Sequence, residues 1–221
     1  MQFLKIKSHA KINLALNVIG KKSSLHTIES IITFIDLHDD IFIKNLKSQK
    51  HKISFAGKFS KNINKDNTIS RLLEILENKK ILKNKKFHIK VIKKIPNKAG
   101  LGGGSINAAT ILKYFIKKKI ISIKKKEITK ITNSIGSDVI LGLNPRNSIL
   151  TSRGEIKVFY HKNKFYTLIV KPTFGCSTKY IYSKVKKFDK PKFNRPNKSM
   201  FNINNLKQMN NSLQSIAFSK Y

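Results

Sequence analysis

The run of glycines at residues 100–104 is the feature that most restricts how this 221-residue chain can fold. Four of these five residues are glycine, and Ser105 follows them. Alternating apolar side chains at 87, 89 and 91 predict a strand before the run, and the apolar segment 108–116 predicts a helix after it. At such a junction glycines let backbone N–H groups approach phosphate oxygens, and the helix N-terminus adds about half a positive charge. The run therefore predicts an anion site.

The glycine run does not match the two common nucleotide-binding motifs. It lacks the Gly-Lys-Ser/Thr ending of a P-loop, and Ser105 stands where a dinucleotide fingerprint starting at Gly100 needs its third glycine. A flexible turn is the structural alternative, which so many glycines between a strand and a helix disfavour.

Hydrophobic periodicity predicts a mixture of strands and helices around this run. From Ala10 to Ile19 the residues alternate, which predicts a strand displaying Lys11 beside Asn13. Asp138 follows the helix breaker Gly136 and opens an apolar run at 139–143. The other predicted strands are 28–37, 41–43, 53–55, 156–160 and 165–171, and the other predicted helices are 68–82, 125–134 and 178–187, with one or two short helices within 203–221.

The chain is strongly basic, with 46 Lys and Arg against 11 Asp and Glu, a net charge of +35. The lysines are spread from Lys5 to Lys220 and accompany many Ile and Asn residues, as a genome-wide codon bias would produce. A background of solvated charge is therefore favoured over a surface that binds a polyanion. No nucleic-acid-binding motif is recognised, so no specific nucleic acid is expected as a partner, although a basic nucleic-acid-binding protein stays the alternative from another class.

Cysteine content and hydropathy predict a cytoplasmic protein. The single cysteine, Cys176, excludes an internal disulfide, and no Cys/His cluster has zinc-site spacing. No apolar run approaches the roughly 18 residues of a membrane span. A signal peptide is not expected, because Lys11 and Asn13 interrupt the early apolar stretch.

The string GLGGGSINAA, with Pro96 four residues before it, resembles the phosphate loop of the GHMP kinases. It is most similar to the branch that phosphorylates the diphosphocytidyl derivative of methylerythritol. Three further blocks agree in order with that branch, at residues 10–14, 25–28 and 136–139. The matching blocks run in register from residue 8 to about residue 182.

The resemblance implies an α+β, two-lobe GHMP kinase fold with an N-terminal domain at 1–150 and a partial C-terminal domain at 151–221. It implies ATP and Mg²⁺ as cofactors, no membrane, and a monomer or homodimer acting in non-mevalonate isoprenoid precursor synthesis. The residue that holds Mg²⁺ is not identified. The implied ATP-binding residues are Pro96, Gly100, Leu101, Gly102, Gly103, Gly104, Ser105 and Asn107, the catalytic residues are Lys11 and Asp138, and the substrate-binding residues are Asn13, His26 and Tyr182.

Phosphoryl transfer suits these residue types, because it needs a positioned hydroxyl and neutralised phosphate charge more than covalent chemistry. Asp138 would accept or orient the hydroxyl proton, and Lys11 would keep that carboxylate ionised and stabilise charge on the transferring group. Without the motif context Asp138 could be a helix N-cap, and Lys11 one more surface lysine.

The sequence departs from the family pattern in four places. Leu25 replaces one of two aromatic residues that would stack on the cytosine ring, Ile106 replaces a second loop serine, and Lys98 replaces a glycine. The family's later Gly-x-Gly segment is not found, so an incomplete C-terminal lobe with an exposed sheet edge is expected. An eroded, inactive relative is therefore the alternative to a working kinase.

Overall fold

Two long strands, β1 (Leu4–Lys22) and β2 (Leu25–Leu46), dominate the first part of the chain. The computed structural model describes residues 2–23, 25–160, 165–172 and 177–220. Contacts divide the chain into two compact units, and both strands contribute residues to each. The first unit comprises Met1–Ala10, Asp36–Asn97 and Leu101–Pro145, and the second comprises Lys11–Ile35, Lys98–Gly100 and Arg146–Tyr221.

The first unit is a sheet covered by helices. The C-terminal half of β2 pairs antiparallel with β4 (Lys86–Ile92), which pairs in parallel with β3 (Lys52–Ala56). The helices are α1 (Thr68–Asn78), α2 (Gly103–Lys117), α3 (Lys125–Ile135) and α4 (Val139–Gly142). Helix α1 buries residues at the i, i+3, i+4 and i+7 positions, so the apolar stripe of the sequence is the face that packs in the core; these are Ile69, Leu72, Leu73 and Leu76.

Local sequence explains where α1 begins. Asn67 accepts hydrogen bonds from the backbone N–H groups of Ile69 and Ser70, at 3.0 and 3.2 Å. Ser70 Oγ in turn accepts one from the Asn67 backbone N–H, at 2.8 Å. This reciprocal pair is a capping box, and it fixes the first turn of α1 beside the glycine run.

The second unit has fewer residues in helices and strands than the first unit. The N-terminal half of β2 pairs antiparallel with β5 (Ser148–Leu150), and β5 pairs with β6 (Ile156–Val158). Its apolar core contains Ala15, Ile31, Ile149, Phe193 and Phe201. The remaining elements are the helices α5 (Thr178–Ser183), α6 (Ile203–Lys207) and α7 (Gln214–Lys220) and a 3-10 helix (Lys198–Phe201).

A buried carboxylate holds the chain after α5 against the strands of the second unit. Glu29 is fully buried and accepts a hydrogen bond from Asn17 Nδ2 at 2.8 Å. It also accepts the backbone N–H groups of Lys192 and Phe193, at 2.6 and 3.0 Å. Because Glu29 satisfies these donors, Phe193 of this irregular segment can be buried without leaving its backbone N–H unpaired.

Several sequence predictions were wrong in detail, and the helices predicted at 68–82 and 178–187 and the strand predicted at 156–160 end earlier than expected. The two strands predicted at 28–37 and 41–43 are one strand, β2. The helix predicted from 108 begins at Gly103, because the apolar pattern marks only the packed part of the helix. Residues 165–172 contain no strand, since nothing within the described ranges pairs with them, and an alternating pattern needs a neighbouring strand to become a sheet.

None of the helices in the described part of the chain is both long enough and apolar enough to cross a membrane. Cys176 lies outside the described residues.

Candidate active site

The glycine run forms the N-terminus of helix α2. Gly102 precedes the helix with φ 68° and ψ 9°, a left-handed conformation that favours glycine. Ile106 N donates to Gly102 O at 2.8 Å, which is the first hydrogen bond of the helix. The N–H groups of residues 103–105 come before this bond and have no acceptor within the helix, so they are available to an anion.

Close packing explains why residues 103 and 104 carry no side chain. A Cβ on Gly103 would lie 3.1 Å from Ile95 Cγ2 and 3.2 Å from Lys93 Nζ. A Cβ on Gly104 would lie 3.3 Å from Thr68 Oγ1, which donates a hydrogen bond to Gly104 O at 2.7 Å. The first turn of α2 is therefore wedged between the end of β4 and the start of α1.

A buried ionic network, which sequence reasoning missed, lies directly beneath this turn. Asp39 pairs with Lys93 Nζ, and both side chains are buried. Asp39 also accepts the backbone N–H groups of Lys94 and Ile95, at 2.8 and 2.9 Å, and Asn107 Nδ2 at 3.0 Å. In the sequence, the only signal for this contact was the order of strand and loop, because it could place an acidic residue of β2 near the end of β4.

The segment that contains Asp138 packs against α2. Asp138 precedes α4, but within the described residues its side chain makes no capping hydrogen bond to that helix. A Cβ on Gly136, two residues earlier, would lie 3.7 Å from Ser105 Oγ. On Gly142, at the end of α4, a Cβ would lie 2.6 Å from Ala109 Cβ, so α4 packs closely on α2. This packing fixes the Asp138 segment relative to the glycine run.

Two of the departures from the family pattern have a structural explanation. Ile106 is buried, and its Cδ1 would lie 3.1 Å from a Cβ on Gly142. Its side chain therefore belongs to the contact between α2 and α4. Lys98 has φ 53°, so it adopts the left-handed conformation that the family's glycine takes without strain.

In the second unit, Lys11 and Asn13 lie together on β1. Lys11 is only 6% exposed, and its Nζ donates to Asn13 Oδ1 at 2.9 Å. A buried lysine on a strand is uncommon, which disfavours the alternative that Lys11 is one more surface lysine.

His26 and Tyr182 also lie together in the second unit, and a third ring joins them. The ring centroids of His26 and Tyr182 are 5.1 Å apart, and Phe188 lies 6.5 Å from His26. Burial, and then the charge of Lys21, lowers the pKa of His26, so its ring is neutral near pH 7. Leu25 is 75% exposed and supplies no aromatic face, whereas Phe188 is 51% exposed. Sequence reasoning missed Phe188 because it lies in a stretch dominated by Lys, Asn and Pro.

Two cavities accompany these residues, one in each unit. In the first unit a cavity of about 80 Å³ is lined by Thr68, Lys93, Gly104 and Asn107, among others. In the second a cavity of about 650 Å³ is lined by Asn17 and by residues between 189 and 218, and none of the predicted site residues lines it.

The structure thus places residues 101–105 and Asp138 in one unit, and His26 and Tyr182 together in the other, to which Gly100 also belongs. Lys11 and Asp138 belong to different units, so their convergence on one reacting group stays a prediction.

Comparison with known proteins identifies the family. Residues 67–145 match the family described as GHMP kinases N terminal domain. The chain is 62% identical over 221 residues to 4-diphosphocytidyl-2-C-methyl-D-erythritol kinase of Pelagibacter ubique (strain HTCC1062), covering all of this chain and 79% of that protein. It is 34% identical over 182 residues to the kinase of the same name from Petrotoga mobilis (strain DSM 10674 / SJ95), covering 81% of this chain and 68% of that protein.

A solved structure supports the fold. A crystal structure of 4-(cytidine 5'-diphospho)-2C-methyl-D-erythritol kinase superposes with a TM-score of 0.72 at 22% identity, covering 99% of this chain and 78% of that one. The predicted mixed α/β fold of the GHMP kinases is confirmed. The chain therefore belongs to the 4-diphosphocytidyl-2-C-methyl-D-erythritol kinase family of GHMP kinases.

Proposed function

We propose that this protein uses ATP to phosphorylate the hydroxyl of 4-diphosphocytidyl-2-C-methyl-D-erythritol, a cytoplasmic step in non-mevalonate isoprenoid precursor synthesis. The observation that carries the proposal is the 62% identity with a kinase of that name over the whole chain. The N–H groups at the start of α2, together with the packing of the segment that contains Asp138 on this helix, support it because phosphoryl transfer needs an anion cradle next to a carboxylate.

In the proposed mechanism the ATP phosphates lie on the N–H groups of residues 103–105, where the α2 dipole also favours negative charge. Asp138 orients the substrate hydroxyl and accepts its proton as the oxygen attacks the γ-phosphorus. Lys11 stabilises the negative charge of the transferring group, and Asn13 holds Lys11 in place through their hydrogen bond. The leaving group is ADP, so one P–O bond forms and one breaks.

The cluster of His26, Tyr182 and Phe188 is proposed to hold the cytosine ring. His26 is neutral near pH 7, so it can both donate and accept a hydrogen bond at the edge of a base. Tyr182 and Phe188 offer ring faces for stacking, which is worth roughly 1–3 kcal/mol per base. Phe188 would then compensate for the missing aromatic residue at Leu25.

The proposed Mg²⁺ would be held mainly by phosphate oxygens. No group of three or more His, Cys, Asp or Glu residues that could hold a metal occurs in the described part of the chain. This fits Mg²⁺ bound with a nucleotide, which takes one or two carboxylates and keeps several waters. We propose that the side-chain oxygens of Ser105, in the loop, and of Asp138 would contribute to its binding. When bound, the ion would neutralise phosphate charge.

The test is ATP consumption by the purified protein with the diphosphocytidyl substrate and Mg²⁺. We expect ADP release that depends on the substrate and a phosphorylated product by mass spectrometry. ATP binding without turnover would instead support the eroded, inactive relative. Binding to RNA or DNA with a steep dependence on salt, without turnover, would support the nucleic-acid-binding alternative.

A further inference from the structure

We propose that Asp39 is a positioning residue that holds the glycine run in its phosphate-binding geometry from below. Asp39 lies in β2, far from the run in sequence, and is fully buried. It is not itself placed to touch a nucleotide. The inference rests on the proposed function, because it concerns how the same loop is prepared to receive ATP.

The carboxylate of Asp39 joins both ends of the glycine run. Its Oδ1 accepts the backbone N–H groups of Lys94 and Ile95, between the end of β4 and the start of the loop at Pro96, at 2.8 and 2.9 Å. Its Oδ2 accepts Asn107 Nδ2, in the second turn of α2, at 3.0 Å. One side chain from the sheet therefore fixes the distance between the strand that enters the run and the helix that leaves it.

Lys93 completes the network from the side of the glycines. Its Nζ pairs with Asp39 Oδ2 and lies 3.2 Å from the point where a Cβ on Gly103 would stand. The ammonium thus supports the first residue of α2 while its charge is balanced by Asp39. Since both groups are buried, removing either one alone leaves an uncompensated buried charge, which strongly destabilises a fold.

Asn107 leaves a spare acceptor in this network. Its Oδ1 is buried and has no hydrogen-bond partner among the described residues. A rotated Asn107 amide could therefore receive a donor from position 39. This allows the charge of Asp39 to be removed while its hydrogen bonds to Lys94, Ile95 and Asn107 are kept. These hydrogen bonds are called the tie below.

Two double variants separate the tie from the charge. Asp39→Asn with Lys93→Met is neutral and keeps the tie, because the new amide can accept from Lys94 and Ile95 and donate to Asn107. Asp39→Ala with Lys93→Met is equally neutral but has no tie. Asp40→Asn is the matched control, since Asp40 is also buried and pairs with lysines, at 2.8 Å from Lys94 Nζ, but it does not accept the N–H groups of Lys94 and Ile95, which Asp39 holds.

We expect the KM for ATP to rise about tenfold or more in the Ala double variant and to stay within about threefold of the parent in the Asn double variant. The kcat and the KM for the alcohol substrate should change little in both, and Asp40→Asn should leave the KM for ATP unchanged. A general loss of stability would instead lower the active fraction without changing this KM. Equal ATP KM values in the two double variants would overturn the proposal.

Amide hydrogen exchange on the unmodified protein without nucleotide gives a readout that needs neither turnover nor a folded variant. The tie predicts that the N–H groups of Lys94 and Ile95 exchange as slowly as those of β4, although they lie outside that strand. Exchange at the rate of the exposed Asn97 would overturn the proposal. If the parent protein showed no turnover, the proposed function would fail while exchange and ATP calorimetry still tested the tie.

Discussion

At the scale of single residues, Asp138 and Gly103 serve different parts of the proposed reaction. Asp138→Asn should lower kcat by several orders of magnitude and leave ATP affinity nearly unchanged, because the loop N–H groups hold the phosphates. Gly103→Val should mainly weaken ATP binding. Gly103 already has the helical conformation of α2, so the obstacle is the contact of its new Cβ with Ile95, 3.1 Å away.

Steady-state kinetics with ATP titrations would check both variants. Collapse of ATP affinity in Asp138→Asn, with the rate per bound substrate kept, would show that the two roles were misassigned.

Lys98 is one of several non-glycine residues whose backbone adopts the left-handed conformation, and it lies beside the glycine run. Its φ of 53° costs a non-glycine residue on the order of 1 kcal/mol. Lys98→Gly should therefore raise the free energy of unfolding by up to about 1 kcal/mol. The greater conformational entropy of glycine in the unfolded chain reduces this gain. Urea denaturation would measure the difference.

Lys98→Ala is the control, because it removes the charge but keeps the Cβ. If Lys98→Ala stabilised the protein as much as Lys98→Gly, charge repulsion in this +35 chain rather than backbone strain would be the cause.

At the scale of elements, His51 links the start of β3 to β4 and makes stability depend on pH. Phe87 N donates to His51 Nδ1 at 3.0 Å, and the two rings stack with centroids 6.0 Å apart. Burial, followed by the charge of Lys86, lowers the pKa of His51 to about 4. Because this value lies below that of the unfolded chain, the neutral ring stabilises the fold fully above pH 6.5, and this contribution is lost as the pH falls towards 4.

The variant His51→Asn isolates this effect, since its amide oxygen can still accept from Phe87 N but does not titrate. As the pH falls from 7 to 4, the urea midpoint should fall less steeply for the variant than for the parent. The reason is that the parent takes up about one more proton when it unfolds. Identical slopes would contradict the assignment. His26 and His88 also have lowered pKa values, so only the difference between variant and parent is diagnostic.

At the scale of the whole molecule, the segment 165–170 is the main exposed apolar surface of the described chain. Tyr166, Leu168 and Val170 are exposed, and no strand pairs with them. Unpaired backbone groups beside apolar side chains favour association between copies. We expect self-association that rises with protein concentration, measured by light scattering.

Replacing Leu168 and Val170 by lysine should suppress this association without changing the KM for ATP, since the segment is not part of the loop. The same two substitutions at the exposed Leu25 and Phe218 form the control for added charge. Equal suppression by the control would assign the effect to net charge rather than to the segment.

Local sequence was sufficient for the glycine run, for α1 and β4, and for the residue types of the proposed site. Each of these depends on neighbours within a few positions, such as the Asn67 capping box or the alternation along β4. The family followed from the order of short blocks, which survive in sequence because each has a backbone or chemical requirement of its own.

Only the tertiary structure decided the rest. Nothing in the adjacent pair Asp39 and Asp40 distinguishes the acid that holds the glycine run from the one that pairs with surface lysines. The roles of the Ile106 side chain and of the Phe188 ring likewise depend on partners that are distant along the chain. The strand predicted at 165–171 does not form, because periodicity describes one strand but a sheet requires a second strand beside it.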